Sequence, residues 1–114
     1  MRTRHLLTLG FSLALLGGLP TAVSAADFDA SAAEGLVKKS GCLTCHSITQ
    51  KKDAPSYKSV AEKYKGKADA EAALFKHLTT NPKVKFDGKE ETHDSLKTKN
   101  DAEVRNVAKW ILSR

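Results

Sequence analysis

The stretch CLTCH, residues 42–46, decides what this chain can fold into. Its two cysteines are the only ones in the sequence, and a disulfide between them would close too small a loop to brace a domain. A structural zinc site needs four ligands, but downstream of the motif only His77 and His93 remain, without paired spacing. A thioredoxin-type redox pair should follow a strand within a βαβ unit, and the sequence pattern contains no such unit. These alternatives also leave the histidine that ends the motif unexplained.

CLTCH has the form CxxCH, which is the attachment signature of c-type haem. Cys42 and Cys45 are spaced so that their thiols can add to the two vinyl groups of one porphyrin, and His46 then projects its imidazole at the iron. A chain of this size builds only a marginal hydrophobic core by itself, so a large apolar cofactor would complete it. The sequence therefore predicts one covalently attached haem c.

The first 25 residues have the organisation of an export signal. Arg2 and Arg4 form a basic start, residues 6–19 are a Leu-rich apolar run, and residues 23–25, VSA, give the small-x-small pattern before a cleavage site. The apolar run is shorter than the roughly 20 residues that cross a bilayer, which disfavours the alternative of a membrane anchor. We expect residues 1–25 to be removed and residues 26–114 to form one periplasmic domain without stable membrane insertion.

The predicted mature domain is moderately basic. It carries 17 Lys and Arg against 13 Asp and Glu, a net charge of +4, and an exported chain with that many acidic residues is a poor candidate for binding nucleic acid. Five lysines lie near the motif in sequence: Lys38, Lys39, Lys51, Lys52 and Lys58. They predict either a basic ring that steers acidic docking patches of redox partner proteins, or an ordinary solvated surface.

Capping signals and helical spacing predict four short helices joined by long loops, an all-α architecture. A capping box at Ser31 predicts the start of the first helix, and Gly41 suits its end. The predicted helices lie at residues 31–40, 56–64 and 69–78 and in the C-terminal stretch from Asn100. Residues 42–55 show neither helical nor alternating periodicity and are predicted as a loop. Residues 82–99 are the least regular part of the chain, rich in Lys and Asp, and are predicted as a second loop. A loop as long as 82–99 normally binds something.

These blocks together resemble the class I cytochromes c, and among them the small bacterial cytochrome c-551 type. The resemblance runs over most of residues 34–114, where GCLTCHSI, APSYKSVAEKY, ADAEAALFKHL and DAEVRNVAKWILS occur in the family's order. It implies four short helices around one covalently bound haem, with the first and last helices packed together. It further implies a monomeric electron carrier and not an enzyme.

The resemblance also assigns roles by position, beginning with thioether links at the two motif cysteines and a proximal ligand at His46. Pro55 matches the proline whose carbonyl accepts a hydrogen bond from the ligand imidazole, which fixes the ring. His77 falls where the family often has a basic side chain near a haem propionate, although its helix position also suits a half-buried histidine. Phe86 stands where relatives place a tryptophan that donates to a propionate, and phenylalanine has no such donor.

The largest departure from the family concerns the second axial ligand. Relatives supply a methionine from the loop before the last helix, whereas the only methionine here is Met1. His93 lies within a residue of the expected position after one insertion, so we predict bis-histidine iron with His46 proximal and His93 distal. His77, another residue such as lysine or asparagine, or no protein ligand are the alternatives. Because methionine ligation raises the potential, bis-histidine iron should have the lower one.

Six-coordinate iron leaves no position for a substrate, so the predicted chemistry is single-electron transfer between redox partner proteins. The alternative is a haem-based binder or sensor of small ligands, in which a distal ligand from residues 82–99 is displaced. A third possibility is the haem subunit of a larger oxidoreductase.

Overall fold

The structure, a computed structural model, describes residues 27–114, so the predicted export signal lies outside the described residues and stays a prediction. The described part contains four helices, one 3-10 turn and one two-stranded hairpin. In chain order these are α1 (Ala30–Lys39), the 3-10 turn (Cys42–Thr44), α2 (Tyr57–Tyr64), α3 (Ala70–Thr79), β1 (Lys83–Phe86), β2 (Lys89–Thr92) and α4 (Asp101–Leu112). The predicted four-helix class is confirmed. Within residues 27–114, no helix has the length and apolar character needed to cross a membrane.

Polar caps explain where three of the helices begin. The Asp29 carboxylate accepts a hydrogen bond from the backbone N–H of Ala32 at 2.9 Å and caps α1. The predicted cap at Ser31 is therefore wrong by two residues, because the earlier carboxylate already satisfies the free N–H groups of the first turn. Ser56 caps α2 and Asn100 caps α4 through their side-chain oxygens, as predicted.

The core lies around α4, against which α1, α2 and α3 all pack. Its most buried large side chains, each at most 2% exposed, are Trp110, Val37, Val104 and Val107. The predicted packing of the first helix on the last is confirmed, since Val37, Trp110 and Ile111 belong to one buried cluster with Leu36 packed against it. The apolar stripe of α4 thus holds the other three helices in place.

Residues 83–92 form an antiparallel hairpin inside the stretch predicted as a loop. The strand register leaves Asp87 and Gly88 as a two-residue turn, and their φ angles are +50° and +77°. Positive φ at both central positions defines the type I′ turn, for which Asp-Gly is a preferred dipeptide. The loop prediction was wrong for these residues, because the alternation of KVKF and the turn chemistry outweigh the high charge of the segment.

Candidate haem site

The CLTCH motif follows α1 directly and folds as a single tight turn. Gly41 ends α1 in the left-handed conformation, with φ +76°, which favours glycine. The backbone N–H of His46 then donates to the carbonyl of Cys42 at 2.9 Å. The side chains of Cys42 and Cys45 have intermediate exposure and form no disulfide. One turn therefore presents both thiols and the imidazole, as covalent haem attachment requires.

The ring of His46 is held at one atom and over one face. Its Nδ1 lies 2.6 Å from the carbonyl oxygen of Pro55, so the ring N–H donates to this carbonyl. Tyr57 stacks on the imidazole with a centroid distance of 5.0 Å and an angle of 18° between the ring planes. With its proton on Nδ1, the imidazole keeps the lone pair of Nε2 available for a metal.

His93 follows β2 directly, and its backbone N–H donates to the carbonyl of Pro82 at 2.8 Å, which closes the base of the hairpin. Its ring centre lies 6.1 Å from that of His46, with 60° between the ring planes. His77 of α3 lies next to His93, with a distance of 4.3 Å between their ring centres. The fold thus gathers three histidines from the motif loop, α3 and the end of the hairpin.

Burial affects the ionisation of two of these rings. It lowers the pKa of His77, and repulsion by His93 adds to this effect. Burial also lowers the pKa of His93, helped by repulsion from His46 and opposed by the nearby Asp94 carboxylate. Both rings therefore favour the neutral form, and only a neutral imidazole has a lone pair to donate to a metal.

The residues present fit a haem. Within residues 27–114, two buried side-chain polar atoms have no hydrogen-bond partner, Nδ1 of His93 and Nε1 of Trp110, and both rings belong to the aromatic cluster around His46. Buried polar atoms are normally satisfied, so these two unpaired atoms indicate a site built to receive a further group.

The hairpin covers one edge of this site. Phe86, half-buried near the hairpin turn, lines an open cleft of about 300 Å³ together with Cys45 and Glu91. An exposed ion pair of 3.4 Å between Lys51 and Asp87 joins the loop after the motif to the turn. Phe86 thus borders the cleft with an apolar ring that offers no donor, as its sequence indicates.

Two of the five lysines that lie near the motif in sequence already have partners. Lys51 pairs with Asp87, and the Lys52 ammonium donates to the carbonyl of Leu43 at 2.8 Å. The sequence interpretation missed the carboxylates beside Cys45, which are Asp53, Asp87 and Glu91. Counting acidic as well as basic residues in the predicted loops 42–55 and 82–99 would have indicated these carboxylates. The surface at this edge is therefore of mixed charge.

A helical domain that presents CxxCH on one turn is the architecture of a c-type cytochrome. The chain belongs to the cytochrome c family, whose match covers residues 30–114. It therefore carries one covalently attached haem c, as predicted. Its family membership implies an electron carrier.

Named relatives agree with this assignment. The chain is 35% identical over 81 residues to cytochrome c-551 of Pseudomonas aeruginosa. The aligned stretch covers 71% of this chain and 75% of the relative. It is 34% identical over 80 residues to cytochrome c-552 of Hydrogenobacter thermophilus, with 70% and 79% covered. The predicted resemblance to the class I c-551 type is confirmed.

Two solved structures share the fold. The class 1 cytochrome MtoD from Sideroxydans lithotrophicus ES-1 superposes with a TM-score of 0.72 at 48% identity, covering 75% of this chain and 96% of that one. Wild-type cytochrome c552 of Nitrosomonas europaea superposes with a TM-score of 0.56 at 28% identity, covering 70% and 96%. The four-helix arrangement described above is thus that of class I cytochromes c.

Proposed function

We propose that this protein is a periplasmic single-electron carrier whose haem iron is held by His46 on the proximal side and His93 on the distal side. Cys42 and Cys45 form the thioether links, Pro55 orients the proximal ring, and His77 supports the distal one. The mature carrier is residues 26–114, acts as a monomer and docks with redox partners that carry acidic patches.

The observation that carries this proposal is the spacing of two imidazoles. Two imidazoles on opposite sides of one metal, each bound at about 2.0 Å, have ring centres roughly 6 Å apart. His46 and His93 have ring centres 6.1 Å apart. The hydrogen bond between His46 Nδ1 and Pro55 selects the tautomer that a ligand needs, and burial favours neutral His93. Geometry and protonation therefore support the same ligand pair.

The place of His77 also supports this assignment. Its ring contacts His93 at 4.3 Å with 58° between the planes, so it packs against the proposed distal ring. It belongs to α3, whose residues Leu74 and Leu78 are buried in the core, so the helix position of His77 is fixed. His77 is thus placed to limit the tilt of His93.

Bound haem supplies a one-electron ferric–ferrous couple, at a lower potential with two imidazoles than with histidine and methionine. The protein supplies two ligands whose backbones are already held, one by the motif turn and one by the hairpin base. Little rearrangement is then needed when the charge on the site changes. This arrangement suits repeated electron transfer.

Optical and paramagnetic resonance spectra of the ferric holoprotein test the ligand pair. We expect low-spin iron in the wild type and loss of that signal in His93→Ala. His77→Ala tests the alternative ligand and should keep low-spin iron, because His77 packs against the distal ring and does not bind the metal in this assignment. His93→Met should restore low-spin iron at a higher potential, because a thioether favours ferrous iron. High-spin iron in the wild type, or an unchanged low-spin signal in His93→Ala, would contradict the assignment.

A further inference from the structure

Tyr57 stands between the motif histidine and the core. It is the first residue of α2 and is only 4% exposed. One face of its ring stacks on His46, and the ring meets Trp110 edge-on at 5.5 Å with 73° between the planes.

The backbone fixes this contact as firmly as the side chains do. The N–H of Tyr57 donates to the carbonyl of Ser47 at 2.9 Å, and the N–H of Lys58 donates to the carbonyl of Ile48 at 2.9 Å. The start of α2 is therefore bonded to the two residues that follow His46. Tyr57 and His46 cannot move apart unless these bonds break.

The hydrogen bond to Pro55 holds the imidazole at one edge, through Nδ1. The ring turns as a plane about its Cβ–Cγ bond, and a bond to a single edge atom limits this rotation without stopping small angular changes. A flat neighbour in near-parallel contact opposes the same rotation, because turning the imidazole would drive its edge into the phenol ring. The carbonyl and the aromatic face therefore restrain one rotation from two directions.

We propose that Tyr57 is a positioning residue for the iron-binding imidazole: its ring, together with the Pro55 carbonyl, sets the orientation of the His46 plane and thereby the direction of the ligand π orbitals. This inference rests on the proposed role of His46 as proximal ligand and goes beyond it. In low-spin ferric haem, the orientation of the axial ligand planes governs the g anisotropy and the order of the haem-methyl proton shifts. Both quantities therefore report on Tyr57.

The test compares ferric holoproteins. Tyr57→Leu removes the flat face, Tyr57→Phe keeps it, and Tyr64→Leu is the matched control, since Tyr64 lies on the same helix beside the Lys63 and Lys67 ammonium groups. We expect Tyr57→Leu to shift the largest g value and reorder the haem-methyl resonances. Tyr57→Phe and Tyr64→Leu should keep the wild-type pattern. Tyr57→Met, which fills the space without a planar ring, should behave like Tyr57→Leu and replaces it if that variant fails to accumulate.

A purely structural role would lower the stability of both leucine variants and leave the spectra alone. Wild-type g values and methyl order in Tyr57→Leu or Tyr57→Met would therefore overturn the proposal. High-spin iron in the wild-type protein would overturn the ligand assignment itself and this inference with it. Failure of the Tyr57 proposal would thus be seen in the Tyr57 variants, and failure of the ligand assignment would be seen in the wild-type protein.

Discussion

The substitution Val107→Ala tests whether the core built around α4 holds the domain together. Val107 is 0% exposed and lies in one cluster with Val37, which is 1% exposed. The substitution removes two buried methyl groups at about 0.8 kcal/mol each. The cavity left behind adds to this loss, so we expect a total of about 2 kcal/mol. A domain of this size has a free energy of unfolding of about 5–15 kcal/mol, so the loss is a large fraction.

The assay is guanidinium unfolding of the ferric holoprotein, followed by far-ultraviolet circular dichroism and haem absorbance. The midpoint should fall while the slope m stays constant, and Tm should fall by about 8–16 °C. The control is Val60→Ala on α2, where the same atoms are lost from a half-buried side chain packed at the edge of the core, and we expect less than about 1 kcal/mol. If Val107→Ala cost no more than Val60→Ala, the buried face of α4 would not be the main source of stability.

Four further predictions address the proposed function and the surface. Cyanide and carbon monoxide should bind slowly or not at all while redox cycling is fast, whereas fast binding would favour a ligand sensor. Reduction by an acidic partner should slow as salt shortens the screening length from about 10 Å at 0.1 M to about 3 Å at 1 M, and Lys38→Glu should slow it at low salt; a rate independent of salt would refute steering. Lys51→Ala should cost less than about 1 kcal/mol of stability, because Lys51 and Asp87 are 70% and 68% exposed; a larger loss on guanidinium unfolding would mean that the pair holds the hairpin. The exported protein should have the mass of residues 26–114 plus one haem, and an intact leader in that mass would refute cleavage.

The helices could be predicted because their determinants are local. Ser56 and Asn100 are side-chain caps that act within three residues, and the stripe of α4 repeats at helical spacing through Val104 and Val107. The start of α1 was misplaced because Asp29 and Ser31 are both good caps. The sequence pattern alone does not decide between two such caps. In the structure the Asp29 carboxylate accepts the hydrogen bond from the Ala32 N–H and is the cap.

The hairpin and the ring contacts were missed for different reasons. The hairpin had a local signal, since Asp87-Gly88 is a type I′ turn dipeptide after an alternating strand, but its high charge resembled a loop. The stacking of Tyr57 on His46 has no local signal, because the sequence pattern places Tyr57 only within the predicted helix at residues 56–64. Its contact depends on how the motif loop folds back on α2, which is set by hydrogen bonds between backbone groups of distant residues.

The hairpin also changes the expected behaviour of His93. Fixing the backbone of one loop residue costs roughly 1–2 kcal/mol, so a ligand on a disordered loop would lose this free energy each time it binds iron. Here the backbone that leads into His93 is already ordered. The strands pair with each other, and the His93 N–H donates to the carbonyl of Pro82. An external ligand must then displace a side chain whose main chain stays in place, so His93 can return at once. His93 is therefore hard to replace with an external ligand. This suits an electron carrier better than a sensor.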